Sequence, residues 1–148
     1  KYEEQGLDLF NKKLIPLIKD YKDTYDNDDF TIYNYRIVLI NSDFALSSDV
    51  NRDLLQDKLS EHNYYSTFEP CVYPGVNIKY YFNSNNCDGI CKCKGVCNGK
   101  GGADGDADCK RVTIAVFKAG KIIITGAKNR EQLYTCQNFI TDFINNKI

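Results

Sequence analysis

The sequence has no methionine, no tryptophan and only one histidine, His62. That histidine ends a short helical pattern, and nothing near it in the sequence is placed to orient it as a base for a cysteine nucleophile. The glycine-rich pattern that cradles phosphate in front of a helix in P-loop proteins is also missing. These absences argue against an enzyme.

Long apolar runs are missing as well. The longest, such as RIVLI and KIIIT, are far shorter than the roughly 20 residues of a membrane-spanning helix, and no charged-then-apolar signal segment opens the chain. With 148 residues, 43% of them hydrophobic, the chain can bury the core of one folded domain. A soluble intracellular domain is therefore expected. Because the chain starts at a lysine and has no methionine, we expect it to be a piece of a longer protein.

The net charge of −1 and the pI of about 5.8 do not by themselves indicate a nucleic-acid-binding protein. The charge is unevenly distributed, however. Residues 1–60 carry 12 acidic and 8 basic side chains, whereas residues 110–148 carry 7 basic and 2 acidic ones. The basic end contains the segment VFKAGKIIITGAKNREQ.

The first half of the chain predicts a helix, a long strand and a second helix. LDLFNKKLIPLIKDY has helical spacing, which Pro16 should interrupt or end. The β-branched and aromatic residues of 30–44 predict a strand. Ser47, Ser48 or Asp49 is expected to cap the short amphipathic helix that follows.

The second half predicts short extended pieces, a hairpin and a long helix. Pro70 and Pro74-Gly75 impose turns on the extended pieces. The hairpin is RVTIAVFKAGKIIITGAK. Asn129, with Gln132 three residues later, is placed to cap the helix after it.

Alternation assigns the side chains of this hairpin to two faces of a sheet. Only one face can be covered by the two helices predicted beside it. The other is small, apolar and flat, and marks a binding surface unless another layer, from a missing part of the chain or from a partner, buries it. The face expected to be covered contains Val112, Ile114, Val116, Ile122 and Ile124. The other contains Thr113, Ala115, Phe117, Lys121, Ile123 and Thr125.

VFKAGKIIITGAKNREQ closely resembles the last hairpin and helix start of the TATA-box-binding protein family. STFEPCVYPGVNIKYY is similar to that family's stirrup loop and following strand. The resemblance covers residues 31–148, apart from an insertion at 83–110. It implies an α+β half-saddle, a curved antiparallel sheet of about five strands with two helices on the convex face. Residues 1–30 are then a helical lead-in that ends a preceding repeat.

The resemblance implies a DNA-binding transcription initiation factor that binds and bends AT-rich promoter DNA through the minor groove. Apolar side chains act as wedges in this mode, of which the family is itself a known example. Phe117 matches one wedge, and Tyr73 stands where the family has a second phenylalanine. The groove-facing positions match Ala115, Ile123 and Thr125, and Asn34 is nearest to the family's groove asparagine. The phosphate-contacting positions match Lys79, Lys121 and Lys128.

The resemblance also implies protein partners, namely the IIB-class initiation factor and the RNA polymerase machinery. Glu69 matches a stirrup acid that the family presents to the IIB-class factor, and Cys71 replaces a neighbouring acid. The implied location is the nucleus, or the viral factory or virion if the source is a large DNA virus. The alternative function is a module of the same fold that docks proteins or recognises substrates without binding promoters. The acidic overall charge favours that alternative, whereas Phe117, Lys121, Thr125 and Lys128 together favour DNA.

The insertion is rich in cysteine and glycine. It contains five of the seven cysteines of the chain, in a span of 23 residues. Their spacing is dense enough for four thiolates to surround one tetrahedral zinc ion, although a strict CxxC pair is missing. Disulfide formation and a mobile, reduced loop are the alternatives. The candidate ligands are Cys87, Cys91, Cys93, Cys97 and Cys109.

Overall fold

The computed structural model describes residues 2–22, 36–83, 86–101 and 109–148, and divides the chain into two compact units, Lys1–Arg36 and Ile37–Ile148. In the first unit, α1 (Tyr2–Leu9) continues through a π-helical segment (Phe10–Leu14) into α2 (Ile15–Lys22). Pro16 has no N–H to donate into the preceding turn, and a local π-helical widening is one way for a helix to accommodate that loss. The predicted helix is confirmed, and its interruption is this π segment.

The second unit is an antiparallel sheet with two helices. The sheet order is β1-β6-β5-β3-β2, and β4 pairs with β3 off this path. None of the described helices has the length and apolar character needed to cross a membrane. The strands are β1 (Ile40–Ala45), β2 (Tyr65–Glu69), β3 (Tyr73–Asn83), β4 (Asn86–Gly89), β5 (Lys110–Val116) and β6 (Lys121–Ala127), and the helices are α3 (Arg52–Glu61) and α4 (Arg130–Lys147).

Both helices pack on the same face of the sheet. Leu55 and Leu59 of α3 and Cys136 and Ile140 of α4 are completely buried in one cluster with the sheet. The sheet contributes to that cluster every hairpin residue that alternation assigned to the covered face, namely Val112, Ile114, Val116, Ile122 and Ile124. The fold predicted from the sequence is confirmed, with β4 from the insertion as a sixth strand.

The strand predicted over 30–44 is wrong for residues 36–39. Residues 30–35 lie outside the described part of the chain, and 36–39 have no regular structure. Their apolar side chains are exposed, with Val38 at 67%. Pairing of β1 with β6 begins at Ile40 opposite Ala127, which is the last residue of β6. Residues 36–39 have no partner strand in the described part of the chain, and β propensity alone does not make them a strand.

A bulge at Gly126 ends β6. Between the pairs Ile40 to Ala127 and Ser42 to Ile124, β6 contains one more residue than β1. Gly126 has φ 88°, in the left-handed region that glycine adopts without steric penalty. The bulge breaks the alternation, so Ala127 is fully buried in the core.

The cap predicted for α3 at residues 47–49 is also wrong. The N-cap is Asn51, whose side-chain oxygen accepts a hydrogen bond from Leu54 N at 3.1 Å. Val50 directly precedes the cap and is only 4% exposed, in the same core as Leu55. The buried valine fixes where the chain enters the helix, as in a hydrophobic staple, so the helix begins after it.

Candidate nucleic-acid interface and metal centre

The sheet face opposite α3 and α4 carries a row of side chains that crosses three strands. Asn77 pairs with Ala115, and Ala115 pairs with Ile123, across β3, β5 and β6. Ala115 is not part of the helix-packed core cluster. It is nevertheless only 6% exposed, because the side chains on either side of it in the row cover it. Ile123 and Thr125 are half-buried. The structure thus places Ala115, Ile123 and Thr125 side by side on this face, which we call the open face.

Two aromatic rings stand together at one end of the open face. The ring centroids of Tyr73 and Phe117 lie 5.7 Å apart in an edge-to-face arrangement. Gly75 lies beneath them, and a Cβ atom there would be 2.9 Å from the Tyr73 ring and 3.2 Å from the Phe117 ring. Glycine at this position therefore allows the rings to approach the backbone. The two predicted wedge residues form one aromatic pair.

Sequence reasoning missed Arg52, which holds the stirrup turn between β2 and β3. Its guanidinium donates a hydrogen bond to the carbonyl oxygen of Pro74. The guanidinium carbon also lies 4.9 Å from the ring centroid of Phe68, within the range of a cation–π contact. Arg52 is the first residue of α3. It thereby ties the helix start to the backbone between Tyr73 and Gly75.

We expect Arg52→Lys to loosen the stirrup turn, because lysine retains the charge but lacks the planar group that stacks and donates along fixed directions. Amide hydrogen exchange should become several-fold faster at Val72, whose N–H donates to the carbonyl of Glu69. Arg130→Lys, at the exposed start of α4, is the matched control and should leave that exchange unchanged. Equal exchange in the wild type and Arg52→Lys would show that the arginine does not hold the turn.

The tip of the stirrup is exposed. Glu69 ends β2, Cys71 lies in the turn, and both are exposed. Val72 beside them is 79% exposed. The two residues predicted to contact a protein partner therefore lie on one accessible turn with an apolar side chain next to them.

The three lysines predicted to contact phosphate differ in their surroundings. Lys79 Nζ donates to Thr113 Oγ1 at 3.2 Å, and burial, with a smaller effect of Arg111, lowers the pKa of Lys79. Lys121 forms an ion pair with Asp43. Lys128 is exposed beyond the end of β6. Lys79 and Lys128 are therefore better placed than Lys121 to offer charge to an anion.

The cap of α4 fixes the backbone at Lys128. As predicted, Asn129 Oδ1 accepts a hydrogen bond from Gln132 N at 2.9 Å. Gln132 Oε1 in turn accepts one from Lys128 N at 2.8 Å. This reciprocal pair orders the connection between β6 and α4.

The asparagine prediction is not tested, because Asn34 lies outside the described residues. Asn41 in β1 was not singled out by the sequence. It is exposed, and its side-chain oxygen accepts a hydrogen bond from Gly126 N at 3.3 Å. It thus bridges β1 to the bulge in β6.

Four cysteines of the insertion converge. The Sγ atoms of Cys91, Cys93, Cys97 and Cys109 all lie within 4.8 Å of one another. The distance from Cys93 Sγ to Cys109 Sγ is 3.4 Å, and that from Cys109 Sγ to Cys91 Sγ is 3.8 Å. Tetrahedral coordination with metal–sulfur bonds of about 2.3 Å places sulfur atoms roughly 3.8 Å apart. The four thiols can therefore hold a metal ion.

The fifth candidate ligand, Cys87, lies in β4, and its side chain is outside the described part of the structure. Cys71 and Cys136 stand apart from the cluster, on the stirrup and in the core. Burial raises the pKa of Cys136 to about 12. Cys136 is thus an inert core thiol.

Hydrogen bonding among the clustered thiols separates their pKa values. Burial acts to raise the pKa of Cys91, but hydrogen bonds from Cys93, Cys109 and Cys97 outweigh it and lower that pKa. The pKa of Cys93 is raised by its hydrogen bond to Cys109 and by burial. Burial also raises the pKa of Cys109, which is fully buried. Of these three thiols, Cys91 therefore most readily becomes a thiolate, the form that binds metal.

The sequence profile of the family described as "Transcription factor TFIID (or TATA-binding protein, TBP)" matches residues 34–147, most of the chain. A comparison with curated proteins gave no significant match. The matched range contains the whole sheet, both of its helices and the paired aromatic rings. The chain therefore belongs to the TATA-binding protein family, with the fold of one repeat.

Proposed function

We propose that the protein is a transcription initiation factor that binds AT-rich duplex DNA in the minor groove and bends it. The observation that carries this proposal is the open face itself. It combines the apolar side chains of Ala115 and Ile123, the aromatic pair of Tyr73 and Phe117, and lysines near the end of the sheet away from that pair. Family membership supports DNA binding at the level of the family.

The chemistry of the open face suits A·T base pairs. In the minor groove these pairs present only acceptors, whereas G·C pairs add the guanine amino group. The methyl groups of Ala115 and Ile123 at the centre of the row offer no acceptor to that amino group. The aromatic pair supplies the wedge, because unstacking one base step costs a few kcal/mol and the bend then brings more protein surface into contact.

Lys79 and Lys128 supply phosphate contacts that fix the register of the duplex without reading its sequence. Lys121 contributes once its carboxylate partner, Asp43, is displaced or hydrated. Tyr73 stacks as a phenylalanine does, and its hydroxyl requires water or a polar partner at the edge of the groove. The stirrup residues Glu69 and Cys71 form the surface for a IIB-class factor and, through it, the polymerase machinery.

Inosine substitution tests the proposed minor-groove recognition. I·C pairs lack the guanine amino group and therefore resemble A·T pairs in the minor groove, although they resemble G·C pairs in the major groove. We expect the full-length protein to bind a site with I·C pairs about as tightly as the A·T site, and the G·C site at least tenfold more weakly. Equal, weak binding to I·C and G·C sites would indicate major-groove recognition and refute the proposal.

For the cysteine cluster we propose one structural zinc ion. Four sulfur ligands in a closed set, one of them fully buried, suit zinc better than hard cations such as calcium or magnesium, which prefer oxygen. The six described cysteines are free thiols, which supports metal binding over a disulfide frame. The ion would order the insertion, whose ligand residues lie outside the helix-packed core.

A further inference from the structure

The row of side chains at Ala115 and Ile123 extends across the five strands of the sheet's main path. The strand pairs align Thr67 with Asn77, Asn77 with Ala115, Ala115 with Ile123, and Ile123 with Asp43. In β3, β5 and β6 the residues before and after each member of this row belong to the helix-packed core. Because side chains alternate along a strand, Asn77 lies on the open face beside Ala115.

Asn77 brings an amide group to this row. Thr67 and Asp43 are the end members, and Asp43 is ion-paired with Lys121. Asn77 is half-buried between Thr67 and Ala115, and no described residue is hydrogen-bonded to its side chain. An amide carries one acceptor oxygen and two N–H donors. These groups are therefore available to a ligand on the open face.

Asn77 also lies close to the aromatic pair. Gly75, beneath the rings of Tyr73 and Phe117, is two residues earlier in the same strand and on the same face. Two residues of a β-strand span roughly 7 Å, and base pairs are stacked about 3.4 Å apart. A base pair that contacts Asn77 is therefore within about two base pairs of the step that the rings would unstack.

A duplex that covers Asn77 must offer its amide a partner, because covering a polar group without one costs binding free energy. In the minor groove a G·C pair presents the guanine amino group as a donor in addition to acceptors, whereas an A·T pair presents acceptors alone. The amide oxygen of Asn77 suits that donor. The methyl group of Ala115, next in the row, offers it nothing.

We propose that Asn77 sets one position of the binding site at which a G·C pair is tolerated, next to the step that the aromatic pair unstacks. This inference rests on the proposed function. Over Ala115 and Ile123 the guanine amino group loses its hydrogen bond to water and gains none. Over Asn77 it donates to the amide oxygen. The preferred site is then an AT-rich element with one relaxed position close to the kink.

A scan of single G·C replacements along the AT-rich site tests the proposal with the full-length protein. One wrong base pair typically weakens binding roughly 5- to 150-fold. We expect losses in this range at positions over the open face, but a loss of at most about twofold at one position near the kink. Asn77→Leu, which keeps a side chain of similar size without a hydrogen-bonding group, should raise the loss there to at least about fivefold.

Inosine distinguishes the relaxed position from the others. Where the duplex covers methyl groups, changing G·C to I·C removes the amino group and should restore tight binding. At the relaxed position the same change removes the donor to Asn77, so binding should become no tighter. In Asn77→Leu this position should respond as the others do, and I·C should bind at least about fivefold more tightly than G·C.

Thr125→Val is the matched control, because it also removes a polar group from the open face. Thr125 lies in the neighbouring row, where it pairs with Thr113. The ratio of A·T to G·C affinity at the relaxed position should be the same in Thr125→Val as in the wild type. Circular dichroism of each variant checks that the domain remains folded.

The outcomes separate this inference from the proposed function. If the wild type penalises G·C equally at every position but still binds A·T and I·C sites tightly, only the inference fails. Tolerance that persists in Asn77→Leu also overturns it, because another group is then responsible. If the wild type shows no preference for A·T or I·C pairs over G·C pairs, the proposed function fails and the inference fails with it.

Discussion

Phe117→Ala should abolish bending of AT-rich DNA by the full-length protein. Stacking of an aromatic side chain on a base is worth about 1–3 kcal/mol by alanine substitution, so affinity should fall roughly 5- to 150-fold. Fluorescence energy transfer between dyes at the two ends of the duplex measures the bend. The fold should survive, because the hairpin turn at this residue is held by backbone hydrogen bonds, from Phe117 N to Lys121 O and from Gly120 N to Phe117 O.

Two further substitutions serve as controls for that experiment. Phe117→Leu retains an apolar wedge and should retain part of the bend. Tyr73→Phe removes only a hydroxyl from the paired ring, and should bend DNA at least as strongly as the wild type. Undiminished bending by Phe117→Ala would exclude this ring as the wedge, whatever the variant's affinity.

Deletion of residues 86–109 should abolish metal binding and leave the domain folded. Phe82 and Lys110 are paired directly across β3 and β5, so the remaining Asn83, Ser84 and Asn85 can close a three-residue hairpin. The helix-packed core contains no residue of the deleted segment. Tyr80, which packs against Gly89, would lose part of its cover, at about 1 kcal/mol for some 40 Å² of apolar surface.

Native mass spectrometry and thermal melts measure the two expected effects. The wild type should carry one zinc, and the deletion variant none. The Tm of the variant should be only a few degrees lower. A chelator should likewise release the zinc from the wild type with little change in Tm. Global unfolding on chelation, as in a zinc finger, would instead make the metal part of the fold.

The sequence predicted the sheet hairpin well, because burial of one face of a strand makes every second residue apolar and this alternation is visible in the sequence. Ile122 and Ile124 alternate with Ile123, and the first two are buried by helices while the third is not. The cap of α4 was likewise predictable, since the hydrogen bonds of Asn129 and Gln132 join residues at the start of that helix. Local chemistry was sufficient for both features.

The features that the sequence did not predict depend on distant partners. The start of β1 is set by where β6 ends, at Ala127, and not by the propensity of residues 36–39. Arg52 acts on a carbonyl 22 residues away, a contact without any local signature.

The central claim is that the open face of the sheet is the DNA-contacting surface. Methyl NMR of the full-length protein tests it by comparing neighbouring residues of one β-strand that lie on opposite faces of the sheet. On titration with AT-rich duplex, the methyl signals of Ala115 and Ile123 should shift. Those of Ile114 and Ile124, adjacent in sequence but covered by the helices, should shift little. Shifts confined to residues on the helix side, or to the stirrup at Val72, would contradict the claim.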